Sequence, residues 1–344
     1  METGRVKQTI KSRAILKKIE KFRLKTKIQS GTGQAVPLPF LGEESSCCIL
    51  EVSDTVAVPV RLLKEGMGDY IKVQMEDILN QLYASSAKPA VMTAMIMLPE
   101  QTEETCLRFF VDCLIQKAEE DAIEISNVEA ECCPNVEVAL LILTVFGKRE
   151  QKPLQGTEAF VPGQELVMIG TAAAEGTIML ENAGREALKQ RFSRRFLEDV
   201  KSLSSKTEIK NKIEVVQNLK NAGIYCVGRT GVFGALWEIA SFTGKGFSVE
   251  LGKIPVCQET IEICEFFDVN PYMLRSGGVL LVAVRQGRTL ADRCRACGIE
   301  AAVIGSMENH ADKLVRNGEE CRYLTMPAAV RLGQNQPEGL NYIY

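Results

Sequence analysis

The residues able to do chemistry are few, and their spacing narrows the choice. There is one histidine in 344 residues, His310. A multi-His zinc site is therefore out of reach, and a Ser-His-Asp or Cys-His nucleophile would have to use that single residue. His310 lies in a polar stretch, Met307-Glu-Asn-His310-Ala-Asp-Lys313, which reads as a solvated loop. Twelve cysteines with no secretory leader point to a reducing, cytoplasmic setting, where free Cys behaves as a small buried hydrophobe. The adjacent pairs Cys47-Cys48 and Cys132-Cys133 would point to opposite faces of a strand, so neither offers two thiols to one metal. The single CxxC, Cys294-Arg-Ala-Cys297, has no second CxxC at zinc spacing. Leu290, Cys294 and Cys297 recur at i, i+4 and i+7, which predicts a buried helix face, with a redox or metal pair as the alternative.

Composition sets the outer limits. The chain is 46% hydrophobic and 25% charged, the proportions of a globular protein. Its longest apolar runs, 139–146 and 279–284, fall well short of the roughly 20 residues a bilayer-spanning helix needs. Residues 1–28 hold ten Lys/Arg against two Glu. Ile10, Ala14, Ile15, Ile19 and Phe22 recur there at helical spacing, so a basic amphipathic helix is expected. No aromatic interleaving or Gly-Arg pattern supports nucleic-acid binding.

The elements that must position any site follow from periodicity. Two β-runs are expected around Ser53-Asp54, then a helix over 70–86, a strand over 91–98, a helix over 102–121 and strands over 124–129 and 136–147. In the 102–121 helix, Cys106, Phe109, Phe110, Cys113, Leu114 and Ala118 share the inward face. Residues 147–163 carry prolines and glycines among charges and are expected to separate two domains. Beyond them come a strand (165–170), helices (182–203 and 206–221), a strand (225–227), a helix (231–242) and a strand (247–251). A helix (258–267), a strand (279–284), a helix (290–298) and a strand (301–304) complete the pattern. The fold class is α+β with two domains: a basic arm and linker over 1–35, then domains over 36–150 and 160–330.

Several segments of the second half, in order, carry a resemblance. They are Gly231-Val-Phe-Gly-Ala-Leu-Trp-Glu, Gly246-Phe-Ser-Val-Glu, Ile254-Pro255, Cys264-Glu-Phe-Phe-Asp-Val-Asn-Pro271, Ser276-Gly277-Gly278 and Cys297-Gly-Ile-Glu-Ala-Ala-Val-Ile-Gly305. Together they resemble the C-terminal domain of the aminoimidazole ribonucleotide (AIR) synthetase superfamily, most of all its hydrogenase expression/formation branch. The first half resembles the family's N-terminal domain more loosely. Gly42-Glu43-Glu44 stands where the family has Gly-x-Asp, Ser53-Asp54 resembles its Thr-Asp, and Glu76-Asp77-Ile78 its Asn-Asp-Ile. The resemblance implies a two-domain AIR synthetase-like fold, with an N-terminal sheet domain that dimerises and a C-terminal α/β sandwich. It also implies ATP and Mg²⁺ as cofactors. Gly42, Glu43, Glu44, Asp54, Asp77 and Gly231 would face the nucleotide, and Glu44, Asp54 and Asp77 would hold the metal. Carboxylates suit Mg²⁺, which takes hard oxygen ligands in a tight octahedron.

The match fails where the family's chemistry should lie. The family loop Asp-x-Thr-x-Gly-Gly is here Cys226-Val-Gly-Arg-Thr-Gly231: a thiol replaces a metal-ligand carboxylate, and Thr230 replaces a glycine. The Thr is expected to restrict the backbone. The last cysteine is Cys321 and the sequence closes on Asn341-Tyr-Ile-Tyr344, so dehydration of a carbamoyl group on a terminal Cys is not expected. The reading is a catalytically degenerate member kept for binding or for regulation of a protein partner; the alternative is an active ATP- and Mg²⁺-dependent synthase acting on a small amide or phosphate-bearing substrate.

Overall fold

A computed structural model describes residues 48–58, 67–100, 102–149 and 159–326. The basic helix expected over 1–28 and the candidate residues Gly42, Glu43 and Glu44 lie outside them. The chain divides into two compact units, Met1–Lys152 and Pro153–Tyr344.

The first unit runs β1 (Cys48–Val58), α1 (Met67–Ala84), β2 (Ala87–Pro99), α2 (Glu104–Glu120), β3 (Glu124–Cys133) and β4 (Ala139–Arg149). The sheet order is β1-β4-β2-β3. β4 lies antiparallel to both β1 and β2, and β2 and β3 are parallel, joined by α2. Alternation along β4 drives one face inward: Leu141, Leu143 and Val145 are buried, whereas Leu140, Ile142, Thr144 and Phe146 are half-buried. The helices cover the inward face, α1 against β1 and β2 and α2 against β3. No described element of this unit covers the other face.

Most of α1 is buried on every side. Tyr70, Ile71, Met75, Ile78, Leu79 and Leu82 are joined in burial by Gln74, Glu76, Asp77 and Asn80. Lys117 of α2 reaches across to the Glu76 carboxylate and lies 2.8 Å from Asp121 Oδ2. Burial alone would depress the Lys117 pKa, but the two carboxylates outweigh it and hold the ammonium above its ordinary value.

The second unit runs β5 (Glu165–Ile169), α3 (Ala174–Arg191), α4 (Arg194–Ser202), a 3-10 turn (Leu203–Lys206), α5 (Lys210–Val216), β6 (Gly223–Val227), α6 (Gly231–Thr243) and β7 (Gly246–Glu250). It continues through α7 (Gln258–Phe267), β8 (Val279–Val284), α8 (Gly287–Ala296), β9 (Ala301–Glu308), β10 (Lys313–Asn317) and β11 (Glu320–Tyr323). The sheet order is β11-β10-β7-β9-β5-β8-β6, antiparallel throughout except for β10 against β7. The central strands β5 and β8 are near-continuous apolar runs because both of their faces are covered. Phe233, Leu236 and Ile239 of α6 share a core with Phe247, Val249 and Leu281. At about 1.5–3 kcal/mol for each fully buried large apolar side chain, this layer holds the unit together.

Several expectations are corrected. Asp54 is not a turn acid between two β-runs: β1 is one strand and places Asp54 opposite Leu143. Gly147 does not open a linker but sits inside β4, where an added Cβ would come within 3.1 Å of Leu82. Phe109 is half-buried rather than inward. The expected helix over 182–203 begins earlier, at Ala174, and breaks at Phe192. Ser193 turns extended there (φ −67°, ψ 154°), and its hydroxyl caps α4 by accepting from Phe196 N. The helix expected over 206–221 shrinks to α5, and β10 was not foreseen. Cys294 is buried, but Cys297 is exposed, because α8 ends at Ala296 and Gly298 reverses the chain at φ +74°. His310 is exposed, in the turn before β10, as its polar neighbours implied.

Candidate functional site

The loop between β6 and α6 is held by the segment 272–278. Gly228 O accepts from Gly231 N at 3.2 Å and from Ser276 N at 3.0 Å. Gly231 begins α6 at φ +66°, where an added Cβ would stand 2.6 Å from Leu274 O and 2.8 Å from Tyr272 O. Both the dihedral and the space require glycine. Thr230 corrects an expectation. Its φ −80° and ψ 0° are ordinary, so no strain attends the loss of the family's glycine. Its side chain packs over Gly234, where an added Cβ would meet Thr230 Cβ at 2.2 Å.

The segment 272–278 is itself anchored by a buried ion pair. Glu175, fully buried in the first turn of α3, accepts from Arg275 Nε at 2.6 Å and, through its other oxygen, from Gly277 N at 2.9 Å. Ser276 Oγ accepts from Ala173 N and donates to Leu274 O, and Arg275 O accepts from Gly176 N. Backbone donors at the start of α3 are thus spent on holding this loop.

The loop itself brings one positive charge, that of Arg229. Arg229 has its pKa pushed below the usual guanidinium value, first by burial and then by the charge of Arg275. Glu175 answers Arg275. Cys226, half-buried at the end of β6, donates its thiol weakly to Val227 O at 3.7 Å. The Tyr225 hydroxyl donates to Glu238, and burial together with that carboxylate raises the Tyr225 pKa. With Glu175 spent on Arg275 and Glu238 on Tyr225, the loop itself offers an anion the Arg229 guanidinium and a hard cation only the Cys226 thiol, a poor ligand for Mg²⁺.

The expected site residues are divided between the units. Gly231 belongs to this loop in the second. Asp77 is buried on α1 and Asp54 lies mid-strand in β1, both in the first. Among the described residues, no group of three or more His, Cys, Asp or Glu is placed to hold a metal ion. Glu175, Arg229 and Arg275 were missed from the sequence. The available signal was Glu175 itself, an acid inside the small-residue run Thr171-Ala-Ala-Ala-Glu175-Gly.

Residues 161–316 match the family described as AIR synthase related protein, C-terminal domain. A carbamoyl dehydratase HypE of Rhodobacter capsulatus is 25% identical over 254 residues, covering 72% of each chain. The crystal structure of Escherichia coli HypE, a hydrogenase maturation protein, superposes with a TM-score of 0.72 at 15% identity, covering 92% of this chain and 98% of that one. A HypE structure in complex with ATP gives 0.69 at 16% identity, covering 94% and 96%. The match over 161–316, the HypE-like relatives and the shared fold support a place in the AIR synthetase superfamily, and the chain has the two-domain α+β fold of its AIR synthetase-like structural neighbours. The relatives it matches, at 25% and 21% identity, carry the names of the hydrogenase maturation branch, which is the branch they support.

Proposed function

We propose that this protein is a catalytically degenerate member of the superfamily whose work is binding: it receives a phosphate-bearing ligand, an adenine nucleotide first among them, and signals its presence to a protein partner. The observation that carries this reading is Cys226, which stands where the family's loop has an acid, three residues before the cationic Arg229. Such a loop favours phosphate oxygens, while phosphoryl transfer also requires a metal held against them. The family's N-terminal domain corresponds to 36–150 and its C-terminal domain to 160–330, with 1–35 as a basic arm. The face of the four-stranded sheet carrying Ile142, Thr144 and Phe146 is the surface for homodimerisation. Nothing in the sequence pattern favours a nucleic acid, and no helix among the described residues is long and apolar enough to cross a membrane.

A second reading keeps the enzyme. Asp77 is buried on α1 beside Gln74 and Asn80, polar positions retained inside a core. In that reading Glu44, Asp54 and Asp77 hold Mg²⁺ for a nucleotide that also meets Gly42, Glu43 and Gly231.

Thermal-shift titration with ATP and ADP, with and without Mg²⁺, separates the two. A ligand at 100 times its Kd adds about 2.7 kcal/mol of stability. The binding reading expects a shift that needs no Mg²⁺ and is lost in Arg229→Ala. A shift that requires Mg²⁺, is lost in Asp77→Asn and comes with ADP release would replace it with the enzyme. No shift up to millimolar nucleotide would remove the nucleotide from both readings.

A further inference from the structure

The CxxC pair has no part in the site above. Cys297 N–H donates to Cys294 O at 2.9 Å, closing the last turn of α8. A bond from i+3 back to i of this kind holds its end Cα atoms within about 7 Å, and a disulfide needs Cα atoms about 4.4–6.8 Å apart. In so tight a turn, side chains three apart eclipse one another. The backbone therefore holds the two Cα atoms at a separation that a disulfide can span. The two sulfurs also interact: burial raises the Cys294 pKa, Arg293 opposes this, and the Cys297 sulfur adds to the rise.

The two thiols differ in access. Cys294 is fully buried and Cys297 is exposed. Cys297 also lines a cavity of about 660 Å³ together with Lys206, Glu208, Glu214, Arg293 and Glu300. That volume is within the range of small-molecule sites, and charges of both signs around it suit a zwitterionic ligand. Neither the adjacent pair Cys132-Cys133 nor the exposed Cys321 combines an accessible thiol with a buried one across a single turn.

We propose that Cys297 is a site of reversible thiol–disulfide exchange with a low-molecular-weight aminothiol disulfide, and that Cys294 is its resolving thiol. The Cys297 thiolate attacks one sulfur of the small disulfide, forming a mixed disulfide and expelling the first thiolate. The Cys294 thiolate then attacks Cys297 Sγ, forming the intrachain disulfide and expelling the second. The protein dithiol gives up two electrons and two protons, and the small disulfide leaves as two thiols. The closed bridge ties the end of α8 to the cavity wall. This inference is independent of the nucleotide reading.

The test uses the full chain, oxidised and reduced glutathione at neutral pH, rapid alkylation and peptide mapping by mass spectrometry. Native wild-type protein is expected to accumulate the Cys294–Cys297 bridge. Cys294→Ala is expected to stall as a glutathione adduct on Cys297, and Cys297→Ser to leave Cys294 unmodified. The proposal is overturned if Cys297 stays reduced while Cys321 is modified, if the wild-type adduct on Cys297 never resolves, or if the bridge forms only in urea. Wild-type mapping decides the matter even if Cys294→Ala fails to fold.

Discussion

Each unit buries an ion-paired centre, and the two centres solve different problems. In the second unit, Glu175 answers Arg275 and the amide of Gly277, so one carboxylate dictates the path of a loop. In the first, Lys117 sits between Glu76 and Asp121 and clamps α1 to α2. A guanidinium is a planar fork that demands orientation, whereas an ammonium is a point charge that tolerates many. The arginine centre therefore shapes the loop carrying Arg229 and Gly231. The lysine centre provides scaffolding on the helix that bears Asp77.

The largest effect should come from breaking the arginine centre. Glu175→Ala leaves Arg275 buried without its counter-ion and Gly277 N without its acceptor, at a cost of about 3–5 kcal/mol. Glu175→Gln should recover part of that loss, since the amide oxygen still accepts from Gly277. Urea unfolding measures both, and a cost below about 1 kcal/mol would erase the distinction drawn here.

Lys117→Met comes next, at about 2–3 kcal/mol, less than Glu175→Ala because the Glu76 and Asp121 carboxylates it leaves behind can take up protons. The pH dependence sharpens the contrast. The folded-state pKa of Lys117 is raised, so its stabilisation is fully present below the unfolded value of about 10.4 and is lost as pH climbs through the higher folded value. The gap in urea midpoint between wild type and Lys117→Met should hold from neutral pH to about 10 and close only above it. A gap already closing at neutral pH would point to a different source of the stabilisation.

Gly231→Ala should cost about 1–3 kcal/mol through its positive φ, and the displaced contact with Leu274 should weaken any nucleotide shift at the same time. The smallest effect is Thr230→Gly, a few tenths of a kcal/mol, because that backbone is relaxed already. A larger change in its melting temperature would mean that the threonine does more than cover Gly234.

Legibility follows the range of the interaction. α7 and β8 could be read to the residue, and α6 was placed at its true first residue, because apolar spacing and glycine punctuation lie within each segment. The start of α3 was missed because Ala172, Ala173 and Ala174 carry no periodicity. Its break at Ser193 was missed because a charged run hides a capping serine. Asp54 looked like a turn residue beside Ser53, and only pairing with β4 shows a continuous strand. Cys297 fitted the helical stripe by count, but Gly298 ends the helix before the stripe is complete.

Of the candidate site, the loop over 226–231 could be found by its resemblance, together with the substitution of Cys226 that gives it its character. Its anchor could not. Glu175 and Arg275 stand 100 residues apart, and no local pattern links them. By itself the sequence determined the fold class, most of the elements and the loop where Cys226 departs from the family's pattern, because burial periodicity is written within about ten residues. The tertiary structure alone decided which charges meet, which thiol is exposed and which glycine cannot be replaced. Those depend on where distant loops touch, and packing settles that only once the whole unit has closed.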